Sequence, residues 1–172
     1  MTLNRKNQND ILNNFGIEYK YNNYATNRLT FKPEREDKKF KINKLFEKIQ
    51  KIENCELKSF AKNIVFSDGN FNNPIMIIGE APGKREDEMA KPFVGDAGKL
   101  LDKMLEAINI KRENTYITNV VNYRPPDNRK PNQKEINRYS KFLKEHIYLI
   151  NPKIIILMGS TAMEAIFSQK MK

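Results

Sequence analysis

The segment IMIIGEAPG, residues 75–83, decides how this chain folds. Its first four residues are a continuous apolar run, which is typical of a β-strand that is buried on both faces. The glycines and the proline that follow end the strand and predict a tight turn before a helix. Open α/β sheets bind ligands where a strand ends in such a turn. The sequence therefore predicts that the functional site lies around Gly79.

Apolar periodicity on either side of this segment predicts the rest of the domain. Residues 116–121 and 153–158 are predicted to be further strands. Helices are predicted to begin at about Phe40, at Asp96, which would be an N-cap, and at about Asn132. Strands that alternate with helices predict an α/β fold with three layers, α/β/α, around a mostly parallel central sheet buried on both faces. The residues expected to be buried along the last two helices are Leu100, Leu101, Met104, Leu105, Ile108, Ile136, Ser140, Leu143, Ile147 and Ile150.

The composition divides the chain into two parts. Residues 1–38 are polar and rich in Asn and Lys, and they are predicted to form an N-terminal extension whose polarity is compatible with partial disorder. Residues 39–172 are predicted to form the α/β domain. The chain ends one short helix after the third predicted strand, so the domain is expected to be incomplete at its C-terminus.

The chain is basic, with 31 Lys and Arg against 21 Asp and Glu and a formal net charge of +10. This excess favours a nucleic-acid partner, because cations that neutralise phosphates release condensed counterions. A generally Lys-rich composition would give the same balance. The single cysteine, Cys55, excludes a disulfide within the chain and an all-cysteine metal site. Without a secretory segment or an apolar run of about 20 residues, the sequence predicts a cytoplasmic protein that does not bind membranes.

The turn GEAPGK, residues 79–84, has the composition of a phosphate-binding loop but not its spacing. Three residues separate its glycines where four are required, and Arg85 follows the lysine where Ser or Thr is required. Glu80 would also repel a phosphate. The sequence therefore disfavours a nucleotide hydrolase.

Polar and aromatic side chains follow the first two predicted strands. Glu80, Glu86 and Asp87 form an acidic cluster in which one carboxylate is predicted to position a water molecule or to stabilise positive charge. The alternative for the last two is that they cap or flank a helix. Phe93 is either a core ring or an exposed stacking surface. Asn119 lies in an apolar strand, where a buried amide needs polar partners that the edge of a nucleobase would supply.

A basic loop follows the second predicted strand. It contains Arg124, Arg129 and Lys130, separated by prolines that stiffen the backbone. This arrangement is suited to contact with the phosphate backbone of DNA. The alternative is an ordinary solvated loop.

Five sequence blocks, taken together and in this order, resemble the uracil-DNA glycosylase superfamily, most closely its family 4, the iron–sulfur type. The resemblance covers approximately residues 55–167 and implies the uracil-DNA glycosylase fold. The blocks are VFSDGN (65–70), GEAPG (79–83) followed by Glu86 and Asp87, PFVGDAGKLL (92–101), TNVV (118–121) and RPPDNR (124–129).

The resemblance implies a protein of base-excision repair that takes uracil out of the DNA stack and into a pocket. Phe93 would stack on the uracil ring, and Asn119 would hydrogen-bond its edge. Gly79, Glu80 and the backbone beside Ala81 would form the floor of this pocket. The chain would then bind uracil-containing DNA as its substrate.

The resemblance also implies the reaction, which is hydrolysis of the N-glycosidic bond to leave an abasic site. Ala81 stands where the best-known glycosylase family has its water-activating Asp. A neighbouring carboxylate, either Glu80 or the pair Glu86 and Asp87, would therefore hold the attacking water. No metal would take part in the reaction.

The chain departs from the family at the cluster cysteines. Family 4 holds a [4Fe–4S] cluster with four cysteines, whereas the matching positions here are Ile52, Cys55, Tyr123, and Tyr139 or its neighbour. One thiolate cannot hold such a cluster, so no cofactor is expected. We hypothesise that a hydrophobic plug fills the space of the cluster and ties Tyr123 to the long helix.

A second departure concerns a His-Pro loop, which in the family follows a further strand and supplies a His to the uracil and a wedge to the DNA. This chain ends at Lys172, and its one histidine, His146, lies inside the long predicted helix. Losing a donor at the leaving group is expected to lower the rate by about 10²–10³-fold.

Three alternatives for the function therefore stay open. The first is a weak uracil-DNA glycosylase that favours single-stranded or mispaired uracil, because extracting a paired base without the wedge is costly. The second is a non-catalytic DNA-binding remnant, and the third is a truncated inactive product. The sequence leaves the oligomeric state open.

Overall fold

A four-stranded sheet forms the centre of residues 37–167, which the computed structural model describes. Its strands are β1 (Asp68–Gly69), β2 (Ile75–Gly79), β3 (Tyr116–Asn119) and β4 (Ile154–Leu157), in the order β1-β3-β2-β4. β2 is parallel to both β3 and β4, whereas β1 is antiparallel to β3. The predicted mostly parallel sheet is confirmed, with one short antiparallel edge strand that the sequence analysis did not predict.

Helices connect the parallel strands. The helices are α1 (Lys38–Gln50), α2 (Glu56–Phe60), α3 (Lys84–Met89), α4 (Asp96–Ala107), α5 (Gln133–Ile150) and α6 (Ser160–Phe167), with short 3-10 turns at Arg112–Asn114 and Pro126–Asn128. α5 begins with a capping box in which the Asn132 side chain accepts from the Glu135 amide and Glu135 accepts from the Asn132 amide. The N-cap of α4 is Gly95 and not Asp96, so that prediction was wrong by one residue.

The sheet separates two apolar layers. On one face, Met76 and Ile78 of β2 pack in a core shared with α1, α5 and α6. On the other face, Ile77 and Ile117 pack against Leu101 and Leu105 of α4. This arrangement follows from the period of two along a strand, which sends alternate side chains to opposite faces. The predicted α/β fold with three layers is confirmed.

Two parts of the predicted core are exposed. Leu100 and Met104 of α4 are 59% and 53% exposed, and Ile108 is exposed as well, because only the flank of α4 with Leu101 and Leu105 faces the sheet. β4 is the outermost strand, and its residues 154–156 are exposed because no other described strand pairs with its outer edge. The prediction of a sheet buried on both faces was therefore wrong at β4.

A buried polar pair joins β3 to α5. The Tyr116 hydroxyl lies 2.6 Å from Nε2 of His146, whose ring stacks on Phe66. Burial lowers the pKa of His146 from 6.5 to about 3, so the imidazole is neutral in the folded protein. His146 therefore belongs to the core between the sheet and α5.

The predicted N-terminal extension lies outside the described residues except for its last two positions, 37 and 38, where α1 begins. The division of the chain at residue 38 stays a prediction. None of the helices in residues 37–167 is both long enough and apolar enough to cross a membrane.

Candidate functional site

The carboxyl ends of β2 and β3 lie side by side and bring together two of the sequence-predicted site residues, Gly79 and Asn119. Gly79 is the register partner of Asn119, and the Val120 amide continues the pairing by donating to the Gly79 carbonyl at 2.9 Å. The space above Gly79 is closely filled, since a Cβ atom there would overlap both the amide oxygen of Asn119 and the ring of Phe93. Glycine at this position lets the amide and the ring come together over the strand end.

A pocket of about 440 Å³ opens at this point. This volume lies within the range of small-molecule sites, which is roughly 300–1,000 Å³. Of the sequence-predicted residues, the pocket brings together Gly79, Glu80, Ala81, Glu86, Phe93 and Asn119. Its remaining lining residues are Gly83, Gly95, Asp96, Ala97 and Met158.

The side-chain amide of Asn119 has no hydrogen-bond partner among residues 37–167. The residue is only 4% exposed, but its amide atoms are not fully buried, since every fully buried side-chain N or O atom in this part of the chain has a partner. Buried amides are usually paired, and the neighbouring Asn122 shows this by donating to the Val65 carbonyl at 3.1 Å. The oxygen of Asn119 lies directly over Gly79, inside the pocket. The pocket therefore presents a free donor and a free acceptor to whatever enters it.

Phe93 forms the second wall of the pocket from an unusual backbone conformation. Its φ angle is +53°, in the left-handed region that residues with a side chain seldom adopt. The following amides, of Val94 and Gly95, donate to Oε1 of Glu86 at 3.0 and 2.7 Å. The sequence left two alternatives for Phe93, a core ring or an exposed stacking surface. The ring is half-buried and lines the pocket, so it is neither fully in the core nor fully exposed.

The three predicted carboxylates occupy different environments. Asp87 is 2% exposed, does not line the pocket, and accepts hydrogen bonds from the amides of Lys62 and Asn63. Glu86 lines the pocket, but one of its oxygens is committed to the loop amides. Glu80 lines the pocket directly after β2. Of these three, only Glu80 combines a place in the pocket with a carboxylate that no backbone amide of the described residues engages.

Glu80 is held by a residue that the sequence analysis missed. The hydroxyl of Thr161, in the first turn of α6, donates to Oε2 of Glu80 at 2.5 Å. Thr161 follows β4, whose carboxyl end lies at the same edge of the sheet as those of β2 and β3. The position of Thr161 directly after a third parallel strand was the signal that could have identified it, because residues after such strands lie at the same edge of the sheet as the pocket.

The predicted DNA-backbone residues lie on the loop after β3 and outside the pocket. Arg124 donates to Oδ1 of Asn128 at 2.7 Å, and Arg129 forms a two-point ion pair with Glu135. The hydrogen bond to Glu135 raises the pKa of Arg129. Lys130 is exposed. The loop is therefore basic and follows β3 in the chain, but none of its three predicted residues lines the pocket.

The four positions that match the cluster cysteines all lie in or against one apolar core. Tyr123 and Tyr139 are buried, Ile52 packs beside them, and the Cys55 thiol lies 3.3 Å from the Tyr139 hydroxyl. Burial and the contact with Cys55 raise the pKa of Tyr139, so this phenol is neutral. One thiol, two neutral phenols and an isoleucine do not fit a [4Fe–4S] cluster. Within residues 37–167, no group of three or more His, Cys, Asp and Glu side chains could hold a metal ion.

The fold and the pocket define a class of protein, an α/β domain with a pocket at the carboxyl edge of a mostly parallel sheet. A sequence model of the uracil DNA glycosylase superfamily matches residues 66–172, and the chain belongs to this superfamily. The predicted membership is confirmed.

Several type-4 uracil-DNA glycosylases are similar to this chain. That of Pyrobaculum aerophilum is 40% identical over 125 residues, which cover 73% of this chain and 64% of the relative. That of Sulfurisphaera tokodaii is 42% identical over 129 residues, covering 74% and 59%. That of Saccharolobus solfataricus is 44% identical over 124 residues, covering 72% and 57%. The matches therefore span about three fifths of the length of these curated relatives.

Proposed function

We propose that this chain acts as a uracil-DNA glycosylase that hydrolyses the N-glycosidic bond of uracil in DNA. The observation that carries the proposal is the side-chain amide of Asn119, which has no hydrogen-bond partner among residues 37–167 and faces the same pocket as the Phe93 ring and the Glu80 carboxylate. The names of the type-4 relatives agree with this chemistry. The reaction belongs to base-excision repair.

Recognition of uracil follows from the chemistry of these side chains. The Phe93 ring supplies an apolar surface on which a flipped base would stack. The Asn119 amide offers one donor and one acceptor, which match the carbonyl oxygen and the N–H on the uracil edge. Cytosine carries an amine and a bare ring nitrogen at these positions, so it reverses both partners. An amide held in one orientation would therefore favour uracil over cytosine.

In the proposed reaction, Glu80 holds a water molecule against the sugar. Oxygen of this water bonds to the anomeric carbon as the bond to uracil breaks, and the bonding electron pair leaves with the base. The negative charge of Glu80 also stabilises the oxocarbenium-like sugar in the transition state. The products are an abasic site and free uracil, which takes up one proton. Glu86 and Asp87, with their backbone partners, would keep the surrounding loops in place.

The leaving uracil would receive little help from the residues described. His146 is buried against Tyr116 in the core, away from the pocket. We therefore expect residues 37–167 to give a rate that is lower by about 10²–10³-fold than a site with a positioned donor. Single-stranded or mispaired uracil would be favoured, because extracting a paired base has a further cost. The loop with Arg124, Arg129 and Lys130 would contact the DNA backbone, and the +10 charge would strengthen that attraction.

The proposal also includes the state of the cluster site. We propose that the packing of Ile52, Cys55, Tyr123 and Tyr139 replaces the [4Fe–4S] cluster as the element that ties α5 to the segment before α2. The protein would then work without a metal cofactor. The partly buried contact between the Cys55 thiol and the Tyr139 hydroxyl supports this part of the proposal.

The proposal is tested with uracil-containing oligonucleotides, single-stranded and as a U·G duplex, at high protein concentration. Abasic products are cleaved by alkali and resolved by electrophoresis. Asn119→Ala should lose activity by about 10²-fold or more, because the base edge loses both partners. Asn137→Ala is the matched control, since the exposed side chain of that asparagine hydrogen-bonds, within residues 37–167, only with Gln133 of the same helix.

Cleavage that Asn119→Ala abolishes and Asn137→Ala leaves intact would support a glycosylase. Salt-sensitive DNA binding without cleavage would overturn the catalytic proposal in favour of a DNA-binding remnant. Loss of both activities would overturn the proposal for this chain and favour the inactive product.

A further inference from the structure

Arg112 is the most heavily engaged side chain near the pocket, although it does not line it. Its side chain is 19% exposed. The guanidinium donates to Oδ2 of Asp68 at 2.7 Å and to Oδ1 of Asp102 at 2.8 Å. It also donates to two backbone carbonyls, those of Pro92 at 2.6 Å and Phe93 at 3.0 Å. One side chain thus joins β1, α4 and the loop that carries the pocket ring.

The loop needs this support because its backbone conformation is unfavourable. Phe93 has a φ angle of +53°, which the surroundings must impose. On one side of the loop, the Phe93 carbonyl lies so close to Gly98 of α4 that a Cβ atom on residue 98 would overlap it. From the other side, Glu86 accepts from the next two amides, at 94 and 95. Arg112 completes the arrangement by binding the two carbonyls.

The charges around Arg112 explain why a half-buried guanidinium is stable there. Burial by itself would lower its pKa, but the hydrogen bonds with Asp102 and Asp68 outweigh this effect and raise it. Asp68 is also paired with Lys91 at 3.2 Å. The planar fork of an arginine can bind two carbonyls and two carboxylates at once, which the single ammonium of a lysine cannot.

We infer that Arg112 is a positioning residue for the stacking ring. By holding the carbonyls of Pro92 and Phe93, it fixes the ring over Gly79 and beside the Asn119 amide before a base arrives. A ring that is ordered in advance costs no entropy at binding, so the affinity for a planar base is higher. The inference rests on the proposed function for the identity of that base, which is uracil.

The test compares Arg112→Met and Arg112→Lys with Arg138→Met. Arg138 is a suitable control because its guanidinium also donates to two loop carbonyls, those of Glu53 and Asn54, away from the pocket residues. Two quantities are measured by NMR: hydrogen exchange at the amides of Val94 and Gly95, and the affinity for free uracil. Exchange at core amides of α5 checks that each variant is folded.

We expect Arg112→Met to speed exchange at these two amides and to weaken uracil binding, each by about 10-fold or more. Arg112→Lys should fall between the wild type and Arg112→Met, because it retains the charge but not the fork. In the cleavage assay, the KM for a uracil-containing single strand should rise more than kcat falls. Arg138→Met should leave all of these quantities unchanged. If Arg112→Met does not fold, the intermediate values for Arg112→Lys decide the matter.

Unchanged exchange in a folded Arg112 variant would overturn the inference. Faster exchange with unchanged uracil affinity would also overturn it, because Arg112 would then stabilise the loop without positioning the ring. A wild type that neither binds uracil nor cleaves DNA would refute the proposed function instead. Exchange at 94 and 95 would still show whether Arg112 orders the loop.

Discussion

The buried pair of His146 and Tyr116 predicts a measurable dependence of stability on pH. In the unfolded chain His146 takes up a proton below its ordinary pKa of 6.5, whereas in the folded protein burial lowers that pKa to about 3. Unfolding therefore takes up one proton between these two values, and the free energy of unfolding rises with pH across this range. The contribution is fully present above pH 6.5 and is lost progressively as the pH falls towards 3.

The size of the effect follows from the two pKa values. At pH 5, which is 1.5 units below the unfolded value of 6.5, the protonation of His146 lowers the free energy of unfolding by about 2 kcal/mol. His146→Gln removes the titrating group and keeps a side chain that can hydrogen-bond the Tyr116 hydroxyl. The variant should cost about 1–3 kcal/mol at pH 7.5, because the stacked imidazole is lost and a polar group stays buried.

The assay is urea denaturation of the wild type and His146→Gln at pH 7.5 and pH 5.0. The difference in unfolding free energy between the two proteins should shrink by about 2 kcal/mol at the lower pH. Carboxylates titrate in both proteins alike, so their contribution cancels in this comparison. An equal difference at the two pH values would refute the reasoning, because His146 would then titrate alike in the folded and unfolded states.

Four further predictions concern the pocket and the cluster site. Thr161→Val should lower kcat by about 10–100-fold, because a charge-assisted hydrogen bond to Glu80 is lost, and Thr161→Ser should restore it; equal rates in all three proteins would contradict this. Gly79→Ala should abolish uracil binding measured by NMR, since its methyl group overlaps the pocket side chains; retained affinity would show that the pocket can rearrange. The purified wild type should lack stoichiometric iron and a cluster-type absorption band. Tyr139→Phe should lower the free energy of unfolding, measured by urea denaturation, by about 0.5–1.5 kcal/mol, since the hydrogen bond to Cys55 is lost. Bound iron would overturn the expectation of a cluster-free protein, and an unchanged urea midpoint would overturn the expectation for Tyr139→Phe.

The position of the candidate site was predictable because it follows from chain order. Alternation of strands and helices places the carboxyl ends of parallel strands at one edge, so Gly79 and Asn119 were expected near each other. The place of Phe93 was expected from the resemblance, and its ring does line the pocket. Its left-handed backbone and the support from Arg112 were not expected, because both depend on contacts with α4 and β1.

The roles of the acidic cluster could not be separated by sequence, because three carboxylates close in the chain have the same intrinsic chemistry. Their partners separate them. Asp87 binds amides at 62 and 63, Glu86 binds amides at 94 and 95, and Glu80 accepts from Thr161. The distinction depends on residues that lie up to 81 positions away.

The sequence pattern predicted which side of a helix is apolar, but it did not predict which residues on that side a neighbouring element covers. Helical periodicity identified Leu101 and Leu105 as buried and also selected Leu100 and Met104, which are exposed. Periodicity shows which side chains share one side of a helix but not how much of that side a neighbouring sheet covers. The same limit explains the exposed apolar residues of β4.

The amino-acid sequence by itself determined the order of the three parallel strands and of the long helices, the mostly parallel sheet and the edge at which the pocket opens. These features depend on local apolar patterns and on the placement of glycine and proline, which act over a few residues. Only the tertiary structure decided that the Asn119 side chain has no hydrogen-bond partner among residues 37–167, that Glu86 but not Glu80 is engaged by loop amides, and that Cys55 meets Tyr139. These three features depend on how distant segments pack against one another, so no local pattern encodes them.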